Sequence, residues 1–304
     1  MNAASRFSGI SLPGNAAQGN GNAPERAGSR RHDAAWHHAR MPAIRAPLPS
    51  LHRVPRASSA WLWALLAAHL VVVTAWWQLG WRCGLPLLVA THLSFLWGAL
   101  RPRSAMYGPV LSHLPIDDRR VWLTIDDGPS DDTRALLDLL DAHGAKATFF
   151  LVGERAAARP DLVREIAARG HGVGNHSQGH PQARFWALGP ARMRREIVQC
   201  QDTLRAITGV APRWFRAVVG HANPFVSAPL RDCGLARVAW DARAYDAVRS
   251  DPAAVVARLE RELSPGAIVL LHEGARHGRS VEMIALLLQR MQALGYATVL
   301  PEQL

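Results

Sequence analysis

The sequence predicts an α/β fold on a parallel sheet, open or closed into a compact barrel, preceded by a membrane anchor and a disordered tail. Two observations predict it. From Val121 onward short β-rich runs alternate with amphipathic stretches of helical period, the repeat that parallel strands need because each crossover requires a helix. Ahead of them lie two nearly uninterrupted apolar segments.

Residues 1–57 are rich in Gly, Ala, Asn, Pro and Arg and lack apolar periodicity. Such a segment buries too little surface to offset its ordering entropy, so a disordered tail is expected. Translation starts at Met1 or, on an alternative reading, at Met41, which would leave a short arginine-bearing leader. Residues 58–103 are expected to form the anchor. The run 61–79, WLWALLAAHLVVVTAWWQL, is long enough to cross a hydrocarbon layer of ~30 Å as a helix. Trp61, Trp63, Trp76 and Trp77 cluster toward its ends, where interfacial aromatics sit. A second apolar run, 85–100, is expected to complete a helical hairpin or to lie in the interface. The first run is too long for a cleaved signal peptide and lacks a small-residue cleavage site.

Residues 104–118 read as a linker. Beyond it, strands are expected at 121–126, 146–152, 172–175, 213–217, 236–241, 267–272 and 297–300, and helices at 132–142, 160–168, 190–207, 251–263 and 281–294. In the last helix Met283, Leu286, Leu287 and Met291 form one core-facing stripe. Seven strands fit an incomplete barrel as well as a doubly wound sheet.

The formal charge of +11 suggests nucleic acid, but its distribution does not. Residues 1–60 hold +6, residues 61–103 hold +3, and the whole of 104–304 holds only +2. A nucleic-acid enzyme keeps its basic footprint on the folded domain; here the excess flanks the apolar runs, as membrane topology requires. Arg53 and Arg56 precede the first run, and Arg101 and Arg103 follow the second. If both runs span, the excess of positive flanks places the domain on the cytoplasmic side of a membrane, the inner membrane in a bacterium. If only the first spans, the domain lies outside. Cys83, Cys200 and Cys233 are scattered, which supports neither a disulfide framework nor a cysteine-ligated zinc.

Polar residues stand at the ends of the predicted strands, where parallel α/β folds place their chemistry. In Leu123-Thr124-Ile125-Asp126-Asp127-Gly128-Pro129, two adjacent carboxylates end an apolar strand, which is costly unless a metal or hydrogen bonds compensate them. The same residues also suit a turn that opens the helix near Asp132. His176 and His180, four apart in Gly174-Asn175-His176-Ser177-Gln178-Gly179-His180, have a spacing common at zinc. Fourteen histidines make a chance pair possible, but this one follows a strand end, with Asp127 available as a third ligand. Three protein ligands and an open position characterise a catalytic zinc rather than a structural one. Three further segments follow: Trp214–Gly220 with Arg216, Val238–Asp246 with Trp240, Asp241 and Asp246, and Ile268–Gly274 with Leu270, His272 and Glu273.

Taken in order, the five segments resemble the motifs of the polysaccharide deacetylase family, the NodB homology domain of family 4 carbohydrate esterases, over residues 119–304. The first two, T-I-D-D-G-P and N-H-S-x-x-H, are the most specific. The resemblance implies a distorted (β/α)7 barrel and a hydrolase that removes acetyl or similar acyl groups from an acylamino sugar of a glycan or lipid-linked saccharide. It implies Zn2+, or another divalent transition metal, on Asp127, His176 and His180. Asp126 would be the general base, His272 the general acid and Arg216 the residue orienting Asp126. Val219 would supply a backbone N–H to the oxyanion, and Trp240 and Leu270 would line the pocket.

The chain departs from the family pattern in three places. Arg216-Ala217-Val218-Val219-Gly220 replaces Arg-Pro-Pro-Tyr-Gly, Glu273 replaces an Asp, and Arg243 stands where an Asp usually tunes the catalytic histidine, with Ala247 in place of a Trp. Asp241 or Asp246 is expected to take over that tuning. Two other readings remain: a membrane-tethered glycan-binding module without turnover, and a hydrolase of a non-sugar amide.

Overall fold

In the computed structural model, residues 51–304 are described apart from 57, 58 and 183; most of the expected disordered tail lies outside them. Helix α1 (Ala60–Leu79) and helix α2 (Trp81–Leu100) form a hairpin broken only at Gly80, whose φ of 81° lets the chain reverse. The second helix therefore begins four residues before the expected 85. Each helix has 20 residues, a length of roughly 30 Å. The helices approach closely at Gly84, where a Cβ would meet the Trp76 ring at 2.5 Å. Thr74, Thr91 and Ser94 return their hydroxyls to carbonyls four residues back, which satisfies them within an apolar surface. Trp63, Leu70 and Trp77 point outward and are largely exposed, as lipid-facing side chains are. Both helices are long and apolar enough to cross a membrane.

The remaining domain is a curled parallel sheet wrapped by helices. Its elements are β1 (Arg120–Gly128), α3 (Thr133–Ala142), β2 (Ala147–Leu151), α4 (Gly153–Ala158), α5 (Pro160–Ala168), β3 (Gly172–Asn175), α6 (Pro190–Thr208) and β4 (Trp214–Phe215). There follow α7 (Ser227–Asp232), β5 (Ala236–Arg237), β6 (Ala242–Arg243), α8 (Pro252–Glu262), β7 (Ile268–His272), α9 (Ser280–Ala293) and β8 (Ala297–Thr298). The strand order is β5-β4-β3-β2-β1-β7-β6, with β8 beside the start of β1. Each expected strand and helix is present. The extra strand arises because the register of the expected run 236–241 with β4 ends at Arg237, and the chain re-enters the sheet beside β7 at Ala242.

Strand alternation divides the core in two. Val121, Leu123 and Ile125 of β1 join Phe149, Val269 and Leu271 against the outer helices. Trp122 packs instead with Phe150, Trp214 and Leu270 inside the curl. Both faces are buried, so β1 reads as a continuous apolar run. At Gly174 a Cβ would meet the Phe150 ring at 2.5 Å, so only glycine leaves that ring its place in the interior.

The stretch 104–118, expected as a linker, is built into the barrel. Leu111 bridges in parallel to Val238, and His113 bridges to Ala267, so this segment spans the gap between β5 and β7. Leu114 is fully buried with the interior cluster. The hairpin also seats on the domain. The Ala222 N–H donates to the Ala99 carbonyl at 2.9 Å, the Tyr107 hydroxyl donates to the Phe95 carbonyl at 2.7 Å, and Trp61 meets Phe225 edge-on. Leu51, within the expected tail, is buried in the interior cluster.

Candidate active site

Strand alternation brings the first carboxylate inward. Asp126 occupies the same face of β1 as Trp122 and pairs in register with Phe150 of β2 and His272 of β7. It is almost fully buried, and its Oδ1 accepts from Arg216 Nη1 at 2.8 Å. Arg216 leaves β4 on the same inward alternation as Trp214. It has no solvent exposure and is held by Thr124 Oγ1 at 2.7 Å, the Ala239 carbonyl at 3.2 Å and the Phe150 face at 4.2 Å. Burying two charges is sustained by this pairing, with the buried Nε of Arg216 alone left without a hydrogen bond.

Asp127 turns out of the strand at φ 72° and meets the two histidines. Its Oδ1 lies 2.9 Å from His180 Nε2 and 3.5 Å from His176 Nε2, yet this buried oxygen accepts no hydrogen bond. Burial raises the Asp127 pKa, but the two imidazoles outweigh it and hold the carboxyl well below the usual range. One donor atom from each of the three residues falls within 4.8 Å of the others. The Nδ1 of His176 donates to the Arg216 carbonyl at 2.9 Å, which leaves its Nε2 lone pair facing the cluster. An orphaned carboxylate oxygen and two imidazoles converging on one point fit a divalent ion.

The loop that carries the histidines is fixed from behind. The Asn175 side-chain oxygen accepts from the Ser177 N–H at 3.0 Å, and Glu196 accepts from the Gly179 N–H at 2.8 Å. Among the described residues, the non-glycine positions with positive φ are Asp127, Ser177, His180, Val219 and Tyr245, and all five belong to these site loops. Left-handed backbone in such residues concentrates where the surrounding structure holds a functional geometry.

His272 ends β7 opposite Asp126. Its Nδ1 lies 3.0 Å from Asp246 Oδ1, and the other oxygen of Asp246 accepts the His272 N–H at 2.6 Å. Burial would lower the imidazole pKa, but Asp246, with Asp126 and Asp127 behind it, pushes it up to about 9. Of the two candidates for tuning, Asp246 thus reaches the histidine. Asp241 turns away, and its carboxylate takes the Ile268 N–H at 2.6 Å and His113 Nδ1 at 2.5 Å. Ala247 opens the place of the usual Trp onto the pocket.

Val219, Trp240 and Leu270 line a cavity of about 90 Å3 together with Asp126, Asp127, His176, His180 and His272. Three further residues of this cavity were given no role in the sequence, Gln182, Tyr245 and Val248. Tyr245 carried a usable signal, its position in the fourth motif beside Asp246; Gln182 carried none. Arg243 reaches the same cavity, stacked over Trp240 at 5.2 Å and Tyr245 at 4.3 Å. Glu273, which stands where the family has an Asp, lies beneath the Asp127–Pro129 turn. It accepts from the Ser130 hydroxyl at 2.7 Å and from Thr133, and burial pushes its carboxyl up. A Cβ on Gly128 would collide with it, so the Gly–Glu pair ties β7 to the carboxylate loop.

Comparison with known proteins agrees with this geometry. Residues 114–238 match the family model for polysaccharide deacetylase. A chitooligosaccharide deacetylase from Bradyrhizobium is 37% identical over 158 residues, which cover 51% of this chain and 71% of that protein. A family 4 carbohydrate esterase from Streptomyces lividans, solved with acetate, is 32% identical with a TM-score of 0.56, covering 61% of this chain and 95% of the other. A family 4 pseudoenzyme from Bacillus anthracis is 25% identical with a TM-score of 0.57, over 62% of this chain and 66% of its own. The chain belongs to the polysaccharide deacetylase family, and its domain has the curled parallel α/β barrel of that family.

Proposed function

We propose that the domain removes the acetyl, or a similar short acyl, group from the amide nitrogen of an acylamino sugar, using zinc on Asp127, His176 and His180. One observation carries the reading: the buried, unpaired Asp127 oxygen and both imidazoles converge in the small cavity that also holds a paired carboxylate and a paired imidazole. Zinc on two His and one Asp supplies a Lewis acid for the acyl oxygen and lowers the pKa of its water toward ~7.

The chain's own groups account for the proton movements. Asp126, fixed by Arg216, accepts the proton of the attacking water. The backbone N–H of Val219, on the cavity wall, donates to the developing oxyanion. His272, kept protonated by Asp246, donates to the leaving amine nitrogen. The products are the short acid and a free amino sugar. A chamber this small admits the acyl end of the substrate and leaves the rest of the saccharide outside.

The test is release of acetate from N-acetylglucosamine oligomers with and without a chelator. Release that chelation abolishes supports the reading. Metal-loaded protein that binds these oligomers without releasing acetate would instead be a glycan-binding module; acyl release from simple amides alone would make it a non-sugar amidase.

The domain plan proposed with this is a tail, a two-helix anchor and a barrel that includes the 104–118 segment. Two helices of spanning length, with Arg53, Arg56, Arg101 and Arg103 at the open end of the hairpin, support a cytoplasmic catalytic domain at a bacterial inner membrane. Reporter fusions after Arg103 check this, and an externally active reporter overturns it.

A further inference from the structure

We propose that the sugar substrate carries a phosphate or diphosphate, received in an arginine pocket between the membrane hairpin and the catalytic cavity. The inference rests on the deacetylase reading and specifies its substrate. A cavity of about 330 Å3 is lined by Arg101, Arg103, Arg243 and Arg258. It adjoins the catalytic cavity, since Trp240, Arg243 and Tyr245 line both.

The four guanidinium groups come from two distant parts of the chain. Arg101 and Arg103 immediately follow α2, at the level where the chain leaves the membrane. Arg243 and Arg258 belong to β6 and α8. Membrane topology accounts for the first pair, but it gives no reason for the second pair to face them. Two acids are present, and both are engaged. Glu262 takes the Arg243 backbone N–H at 2.7 Å and pairs with Arg258 at 3.3 Å. Asp241 is held by Ile268 and His113.

Among the described residues Arg101, Arg103 and Arg243 form no ion pair with a carboxylate. Arg103 donates to the Trp240 carbonyl at 2.8 Å, and the buried Nε of Arg243 makes no hydrogen bond. Stacking fixes the planes of these groups: Arg243 and Arg258 lie over Tyr245, and Arg101 lies over Trp97, while Arg258 also donates its Nε to the Arg243 carbonyl at 3.0 Å. Concentrated, pre-oriented guanidinium donors recognise phosphate. The close approach of the two cavities has a backbone cause. A Cβ on Gly220, on the wall of the catalytic cavity, would meet Trp240 at 2.5 Å and Pro102 at 2.7 Å. The segment leaving α2 therefore presses directly on the catalytic wall, and a sugar held outside the small cavity by its acyl group lies beside the arginine pocket that shares this wall. Arg243 accordingly gains a substrate-binding role at the position where the family usually has an Asp.

The same phosphate chemistry comes from a lipid carrier or from a soluble nucleotide sugar, and three probes separate them. The full chain in detergent is given N-acetylglucosamine on a short prenyl diphosphate, the same sugar on a uridine diphosphate, and a neutral N-acetylglucosamine tetramer. Acetate release gives KM, and calorimetry gives Kd. At least one phosphate-bearing sugar should show a KM about tenfold or more below that of the tetramer. The pair Arg101→Gln/Arg258→Gln, one side chain exposed and the other half-buried, should abolish that advantage while the tetramer's KM stays within about twofold, and Arg101→Lys/Arg258→Lys should restore part of it. Preference for the prenyl probe alone assigns a lipid carrier; equal preference for both assigns the phosphate itself. Equal KM for all three probes in the wild type, or equal weakening of all three in the Gln pair, overturns the pocket. If no probe is deacetylated, calorimetry decides. Arginine-dependent binding of the phosphate sugars keeps the pocket and removes the deacetylase reading, whereas binding indifferent to the Gln pair removes the pocket.

Discussion

Arg216 Nη1 donates to Asp126 Oδ1 at 2.8 Å, with both side chains shut away from solvent. Removing one partner strands a buried charge, a loss of about 3–5 kcal/mol. Arg216→Met should therefore lower stability by that order and also abolish turnover, read by denaturant unfolding and acetate release. Metal content should fall less than activity, because His176 bonds to the Arg216 backbone carbonyl, which the substitution retains.

Asp126→Asn separates base from ligand. The amide oxygen still accepts from Arg216 but no longer balances its buried charge, so stability should fall, though less than in Arg216→Met, and the group no longer takes a proton. Turnover should drop by roughly 10²–10⁴-fold. Metal analysis should find near wild-type content, since Asp127, His176 and His180 are the converging donors. Substantial residual activity would remove Asp126 from the role of base.

His176→Ala and His180→Ala should each lose the metal along with activity. A ligand that binds only the native state stabilises it by mass action, so chelation should lower the wild-type Tm and leave the His176→Ala Tm nearly unchanged. Acid should release the metal from the wild type as the imidazoles protonate.

His272 gives a pH signature. Its folded-state pKa of about 9 lies above the ordinary 6.5, so its contribution to stability is complete below pH 6.5 and is lost as pH rises through about 9. Turnover that needs the protonated imidazole should fall over the alkaline end of the same window. Asp246→Asn removes the chief support, so the alkaline limb of kcat should move down toward 6.5 or lower, and the stability difference between pH 6 and pH 9.5 should shrink. An unchanged alkaline limb in Asp246→Asn would falsify the pairing as the source of the shift.

The sequence alone determined a good deal. The period-two alternation of β1 already puts Asp126 on the face of Trp122, and the i, i+4 histidines follow a strand end. Local residues decide such features: side-chain direction in a strand depends only on parity, and whether an apolar run is long enough to span depends only on its own length. Tertiary structure decided the rest. Asp241 and Asp246 are equivalent in sequence as partners of His272, 31 and 26 residues away. The turn after β6 brings Asp246 to the imidazole, while Asp241 is drawn to the backbone of Ile268. The 104–118 stretch lacks any strand period, yet the sheet's open gap gives its backbone groups partners on β5 and at the entry to β7. Arg243 reads as a lost acid until α8 and the end of α2 are seen to surround it with arginines. Pairings of that range follow from how the curled sheet closes, which no local window of residues encodes.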